Sequence, residues 1–259
     1  MVNSPKPALH GKNALVVGGT SGIGLAAAVG LARAGVSQIT LVGRNADRGA
    51  RAQQVVSAEG ADVEFLAGDA GHPEQASQIV DGCAGTMGGL DIVINAVAPV
   101  GTAAPIDQQP GKDLLDLMVA LAAPPLLITA AAISVMRESG GSIVNIASDA
   151  AKVPTPGEAA VGAGMAAITM FSRTAALEAK RYGVRVNVLT PSLVLDTGTA
   201  ARIGQMSFAT KIFDKIAQKA ALGVPNAEEV AELVVFLSGP GAAKITGQVI
   251  SVNGGISAG

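Results

Sequence analysis

Leu15-Val16-Val17-Gly18-Gly19-Thr20-Ser21-Gly22-Ile23-Gly24-Leu25 decides how this chain is read. An apolar run ends in glycines and reopens directly into Leu25-Ala26-Ala27-Ala28-Val29-Gly30-Leu31-Ala32, so the stretch predicts strand, tight turn and helix. A helix that starts straight from such a turn leaves backbone N–H groups free at its positive dipole end, which suits a pyrophosphate.

The pattern continues outward. Asn13 to Val17 reads as a strand, and Gly22 to Ala34 as a helix closed by Gly35 in the left-handed position. Gln38 to Val42 returns as a second strand, which completes a βαβ unit. Gly43-Arg44-Asn45 follows that strand. In dinucleotide folds this point meets the adenosine ribose, where an acidic side chain binds the 2′-hydroxyl and an arginine suits a 2′-phosphate; Arg44 therefore points to NADP(H), with NAD(H) the alternative. Helices and strands then alternate: helix 46–59, strand 62–67, helix 73–86, strand 91–95, helix 113–136, strand 142–147, helix 157–182, strand 184–189, helix 226–238 and strand 248–252. Alternation of this kind predicts a doubly wound parallel sheet with helices on both faces.

Composition bounds the function. In 259 residues, 49% are hydrophobic and only 15% charged, enough apolar surface for one large core and an oligomer interface. A net charge of −2 without a basic run gives no footprint for nucleic acid, and no His/Cys cluster has metal-ligand spacing. The lone Cys83 cannot form an internal disulfide, and residues 1–12 lack the apolar segment of a signal peptide, so a cytoplasmic setting is expected. Leu117 to Met136 imitates a membrane span in length, but Pro124-Pro125 at its centre and its many alanines favour a buried, kinked interface helix over membrane insertion.

Taken together these residues resemble the short-chain dehydrogenase/reductase family along essentially the whole chain. The resemblance is carried by Gly18-x3-Gly22-x-Gly24, Asp69 after the third strand, Asn95 after the fourth, and Asn145-Ile146-Ala147-Ser148 at the fifth. Val184-Arg185-Val186-Asn187-Val188 with Pro191, then Ile245-Thr246-Gly247-Gln248 and Asn253-Gly254-Gly255, complete it. It implies a single domain over 1–259 with a Rossmann-type sheet of about seven strands, a nicotinamide cofactor, and a homotetramer or homodimer built partly on the two long helices. It implies cofactor binding by Gly18, Thr20, Ser21, Gly22, Ile23, Gly24, Arg44, Asp69, Ala70, Asn95, Pro191 and Val194, with Asp69 at the adenine and Asn95 near the adenine ribose.

The same resemblance exposes departures. The family's active site is a serine, a tyrosine thirteen positions on, a lysine four after that, and an asparagine on the preceding long helix. Here Ser148 is in place, but Val161, Met165 and Ala120 stand at the other three positions, and the only tyrosine is Tyr182 at the end of its helix. Ser192 stands for the family's glycine beside the nicotinamide. The family's threonine position falls on Asp196, with Thr197 one residue late. Val161 and Met165 can neither exchange a proton nor bond a ribose. Asp149, Lys152 and Glu158 lie near enough in sequence to replace the lost chemistry, so Ser148, Asp149 and Lys152 are the expected catalytic set.

Three functions stay open: an NADP(H)-dependent oxidoreductase with an atypical proton route and a small apolar substrate; a non-redox cyclase, hydratase or lyase on the same fold; and a non-catalytic paralogue that binds ligand or stabilises a partner. Substrate specificity is expected in residues 99–111 and in a lid at 196–221, where Met206, Phe208, Ile212 and Phe213 supply apolar side chains.

Overall fold

The sheet follows from strands whose two faces are both apolar. The computed structural model describes residues 8–97, 104–203 and 215–257. Its chain order is β1 (Asn13–Val17), α1 (Gly22–Arg33), β2 (Gln38–Gly43), α2 (Ala46–Ser57), β3 (Asp62–Ala67), α3 (Pro73–Met87), β4 (Ile92–Asn95) and α4 (Gly111–Val135). It continues with β5 (Gly141–Ile146), α5 (Ala159–Ala179), β6 (Val184–Pro191), α6 (Gly198–Ile203), α7 (Ala227–Ser238) and β7 (Val249–Val252). The seven strands form one parallel sheet in the order β3-β2-β1-β4-β5-β6-β7.

Alternate residues of each strand enter opposite layers. Val16, Ile94 and Val144 pack with α1 and α7, while Leu15, Val17, Val93 and Ile143 pack with α3, α4 and α5. The order reverses between β1 and β4, so the loops leaving those neighbouring strands diverge and open a crevice at their carboxyl ends.

Helix α1 closes as its sequence requires. Gly35 sits at φ +94°, and the Val36 N–H bonds the Leu31 carbonyl at 3.1 Å. Helix α5 stops at Ala179, and a single tighter turn, Lys180–Tyr182, takes the chain to β6. Helix α4 runs unbroken through Pro124 and Pro125, both buried. Neither proline has an N–H, so the carbonyls of Ala120 and Leu121 lose their i+4 donors. By length and composition α4 and the α5 segment could cross a membrane. Here they pack against the sheet and each other, and leave Leu115, Val119, Met170 and Leu177 more than 60% exposed on their outer surfaces. Met206, Phe208, Ile212 and Phe213, the expected lid side chains, lie outside the described residues.

Candidate functional site

The crevice at the switch point widens into a cavity of about 840 Å³. Its floor begins at the glycine turn. Gly18 has φ +79°, and a Cβ there would meet the Ala96 carbonyl oxygen at 2.5 Å. A Cβ on Gly24 would meet the Gly18 carbonyl oxygen at 2.3 Å. Only glycine lets the start of α1 sit this close to β1 and the β4 loop. The turn ends at Ser21, which caps α1 through its backbone alone: its side chain makes no cap bond, and the first turn holds no acidic residue. The first bond of the helix runs from the Leu25 N–H to the Ser21 carbonyl. The N–H groups of Gly22, Ile23 and Gly24 therefore have no backbone acceptor among the described residues, and Ser21, Gly22 and Ile23 line the cavity. A helix start with free donors and no competing carboxylate fits a diphosphate.

One end of the cavity is basic. Arg44 leaves β2, and Arg48 follows one turn later on α2, whose start is capped by the Asn45 side chain accepting the Arg48 N–H at 2.9 Å. Arg44 lies 3.9 Å from Asp69, whose other carboxylate oxygen accepts the Gly71 N–H at 2.9 Å. Asp69 is thereby aimed across the mouth beside Ala70 and His72. Arg48 and His72 were not among the expected residues; Arg48 lines the cavity from the first turn of α2. The residues present fit an adenine dinucleotide: free N–H groups for the diphosphate, and two guanidinium groups beside the acid at the ribose end.

The other end is largely apolar. Leu117, Ala120, Leu121 and Pro124 of α4 face Val161 and Met165 of α5, with Leu193 beyond them. Ser148 enters at the end of β5, where its hydroxyl oxygen accepts the Ala150 N–H at 3.2 Å and keeps its own proton available. Pro191, Ser192 and Val194 close the wall after β6. Thr197, not Asp196, faces the cavity: its hydroxyl donates to the Val194 carbonyl at 3.0 Å and accepts the Ala200 N–H at 3.1 Å. Asp196, at φ +58°, is turned out to solvent.

Four expected residues are placed elsewhere. Asp149, 4% exposed, points away from the cavity to the end of the chain. It accepts hydrogen bonds from Asn253 at 2.7 Å, Ser257 at 2.5 Å and Ser251 at 3.3 Å. Lys152 joins the same cluster, bonding Ser251 at 2.5 Å and lying 3.8 Å from Asp149. Both are committed to anchoring the C-terminal segment, because the short turn Asp149–Ala151 sends successive side chains in different directions. Asn95, fully buried, shares the face of β4 that carries Val93, so its amide points to α4 and α5 and donates to Asn145 at 2.7 Å. Its neighbours Ala96 and Val97 reach the cavity instead. Gly24 acts by packing beneath the turn rather than by lining the site.

Glu158, in contrast, does line the apolar end. It precedes α5 by one residue and makes no side-chain cap bond, and burial pushes its carboxyl above the usual range. Tyr182 is remote from the cavity, and its ring is covered by the guanidinium groups of Arg137 and Arg181 at 5.1 and 4.8 Å.

Comparison with known proteins agrees with the fold. A family model described as Enoyl-(Acyl carrier protein) reductase matches residues 17–257. Gluconate 5-dehydrogenase of Gluconobacter oxydans is 32% identical, with 96% of this chain and 96% of that one covered. D-threitol dehydrogenase of Mycolicibacterium smegmatis is 33% identical, with 95% and 93% covered. Among solved structures, a short-chain type dehydrogenase/reductase from Mycobacterium ulcerans superposes with a TM-score of 0.89 at 29% identity, covering 96% of this chain and 90% of that one.

Proposed function

Because the chain belongs to the short-chain dehydrogenase/reductase family, whose members bind NAD(P)(H) and act on small molecules, we propose that it is an NADP(H)-dependent oxidoreductase for a small apolar substrate, with an active site that departs from the family's proton relay. The observation that carries this reading is one continuous cavity, with the free N–H groups of α1 in its floor, Arg44 and Arg48 at one end and Ser148 at the other.

In this reading the first turn of α1 holds the diphosphate, and the two guanidinium groups bind a 2′-phosphate. The nicotinamide, when bound, supplies or accepts a hydride. Ser148 donates a hydrogen bond to the substrate's polar atom. Val161 and Met165, standing where the family has tyrosine and lysine, exclude water but handle no proton. A general acid contributes about 10²–10⁴-fold to a rate, so a substrate that needs none loses least by their presence. The same aliphatic pair favours, as a second reading, a member of the family that binds its ligands without turnover. The exposed apolar residues of α4 and α5 support a homodimer or homotetramer through those helices. The segment 196–221 serves as the substrate lid, and the buried single thiol of Cys83 agrees with a reducing cytoplasmic setting.

Calorimetric titration with NADPH and NADH tests the reading. Micromolar binding of NADPH, about tenfold or more tighter than NADH, is expected. No binding of either at millimolar concentration refutes it.

A further inference from the structure

The apolar end of the cavity holds a carboxylate for which the chain supplies no counter-charge among the described residues. Among the described residues Glu158 makes no ion pair and no side-chain hydrogen bond, and burial raises its carboxyl above the usual range. The other acidic side chain at that end, Asp116, lies at the exposed mouth and is paired with Lys112. Both cavity arginines are at the far, ribose end.

A carboxylate left half-buried in an apolar wall costs folding free energy unless something with a positive charge or a strong donor meets it. Its side chain makes no hydrogen bond to the start of α5, so the helix leaves its oxygens free to face the cavity. A second feature has the same polarity. Pro124 and Pro125 leave the carbonyls of Ala120 and Leu121, two cavity-lining residues of α4, without their helical donors. Side-chain donors at this end are few: Ser148 offers one hydroxyl proton, while Val161 and Met165 offer none.

We infer that the apolar end of the cavity is a binding site for a cationic nitrogen on an apolar body, a protonated amine or the iminium related to it, held by the carboxylate of Glu158. This rests on the reading of the cavity as a substrate site and names the substrate class. It also accounts for the aliphatic side chains at 161 and 165. A cationic carbon–nitrogen group needs no acid to make it electrophilic, and a lysine at position 165 would repel it.

The test uses the full-length protein and simple probes of one shape: cyclohexylamine, charged at neutral pH, against cyclohexanol and cyclohexanone, titrated by calorimetry with and without NADPH. Cyclohexylamine is expected to bind at least about tenfold more tightly than either neutral probe, the weight of one charge-assisted bond in a partly wet site. Glu158→Gln is expected to remove that preference while leaving the NADPH affinity within about twofold. Equal binding of the three probes by the unaltered protein, or no amine binding, overturns the inference without reference to any variant. So does an amine preference that survives Glu158→Gln. Failure of the dinucleotide reading is seen separately, as absence of NADPH binding in the titrations without amine.

Discussion

Gly24→Ala puts the glycine turn under direct strain. The added Cβ would lie 2.3 Å from the Gly18 carbonyl oxygen, 2.8 Å from its carbon and 3.2 Å from the Ala96 Cβ, about 1 Å inside ordinary contact. No flexible side chain can yield on the Gly18 side. Gly18 is itself fixed at φ +79°, its N–H bonds the Val42 carbonyl at 2.9 Å, and even a Cβ on it would lie 2.5 Å from the Ala96 carbonyl oxygen. The start of α1 must therefore move. Overpacking of this kind costs about 1–3 kcal/mol, against which alanine regains up to about 1 kcal/mol of helix propensity. The net loss of about 1–2 kcal/mol lowers the melting temperature by roughly 2–8 °C for a chain of this size. Because the free N–H groups of Gly22 and Ile23 move with the helix start, NADPH affinity falls by more than about tenfold. Gly82→Ala in α3, where a Cβ meets nothing within 4 Å, is the matched control; it leaves NADPH binding unchanged and raises the melting temperature by roughly 2–4 °C. Scanning calorimetry and NADPH titration of the two variants decide the matter. A Gly24→Ala protein with unaltered melting temperature and NADPH affinity refutes the account of the turn.

Four further outcomes are expected. Arg44→Ala weakens NADPH binding about tenfold, as loss of one charge-assisted phosphate contact partly screened by water requires, and leaves NADH binding unchanged; equal losses for both would remove the 2′-phosphate from that end. Asp149→Ala breaks the cluster of Asn253, Ser257, Ser251 and Lys152 and leaves a cation unpaired, so it costs about 3 kcal/mol in denaturant unfolding; a loss below about 1 kcal/mol would contradict a structural role. For Glu158 the raised native pKa means that the folded protein binds the proton more tightly than the unfolded chain, so a cost to folding appears as pH rises from below the ordinary glutamate range past the raised value. Glu158→Gln, which cannot ionise, is accordingly more stable than the parent at pH 7 by a margin that shrinks towards pH 4; a margin independent of pH would locate the carboxyl in water. Finally, Val161→Tyr combined with Met165→Lys creates weak NADPH-dependent reduction of small ketones, and a double variant that binds NADPH yet stays inert would show that those positions are wrongly aligned with the family's pair.

The sequence by itself determined the architecture. Continuous apolar runs buried on both faces, punctuated by glycines such as Gly18 and Gly35, admit few arrangements other than a covered parallel sheet, because each element's pattern is local and repeated. It also placed the glycine-turn end of the cavity: Ser21, Gly22, Ile23, Arg44 and Asp69 sit at or just after strand ends, and in a doubly wound sheet every strand end at the switch point opens on the same crevice. Which side chain turns into that crevice was decided by the tertiary structure alone. Ser148 and Asp149 are adjacent, yet one lines the cavity and the other is buried against Asn253 and Ser257, more than a hundred residues later in the chain. Asn95 and Ala96 are adjacent, yet the pleat sends the amide to Asn145 and the methyl to the site. Glu158 is one of three candidates in the sequence, and only the fold separates it from Asp149 and Lys152 by placing it in an apolar wall of the cavity. Direction at a strand end or in a single turn is a matter of one residue's register, and the partners that settle it come from segments that only folding brings near.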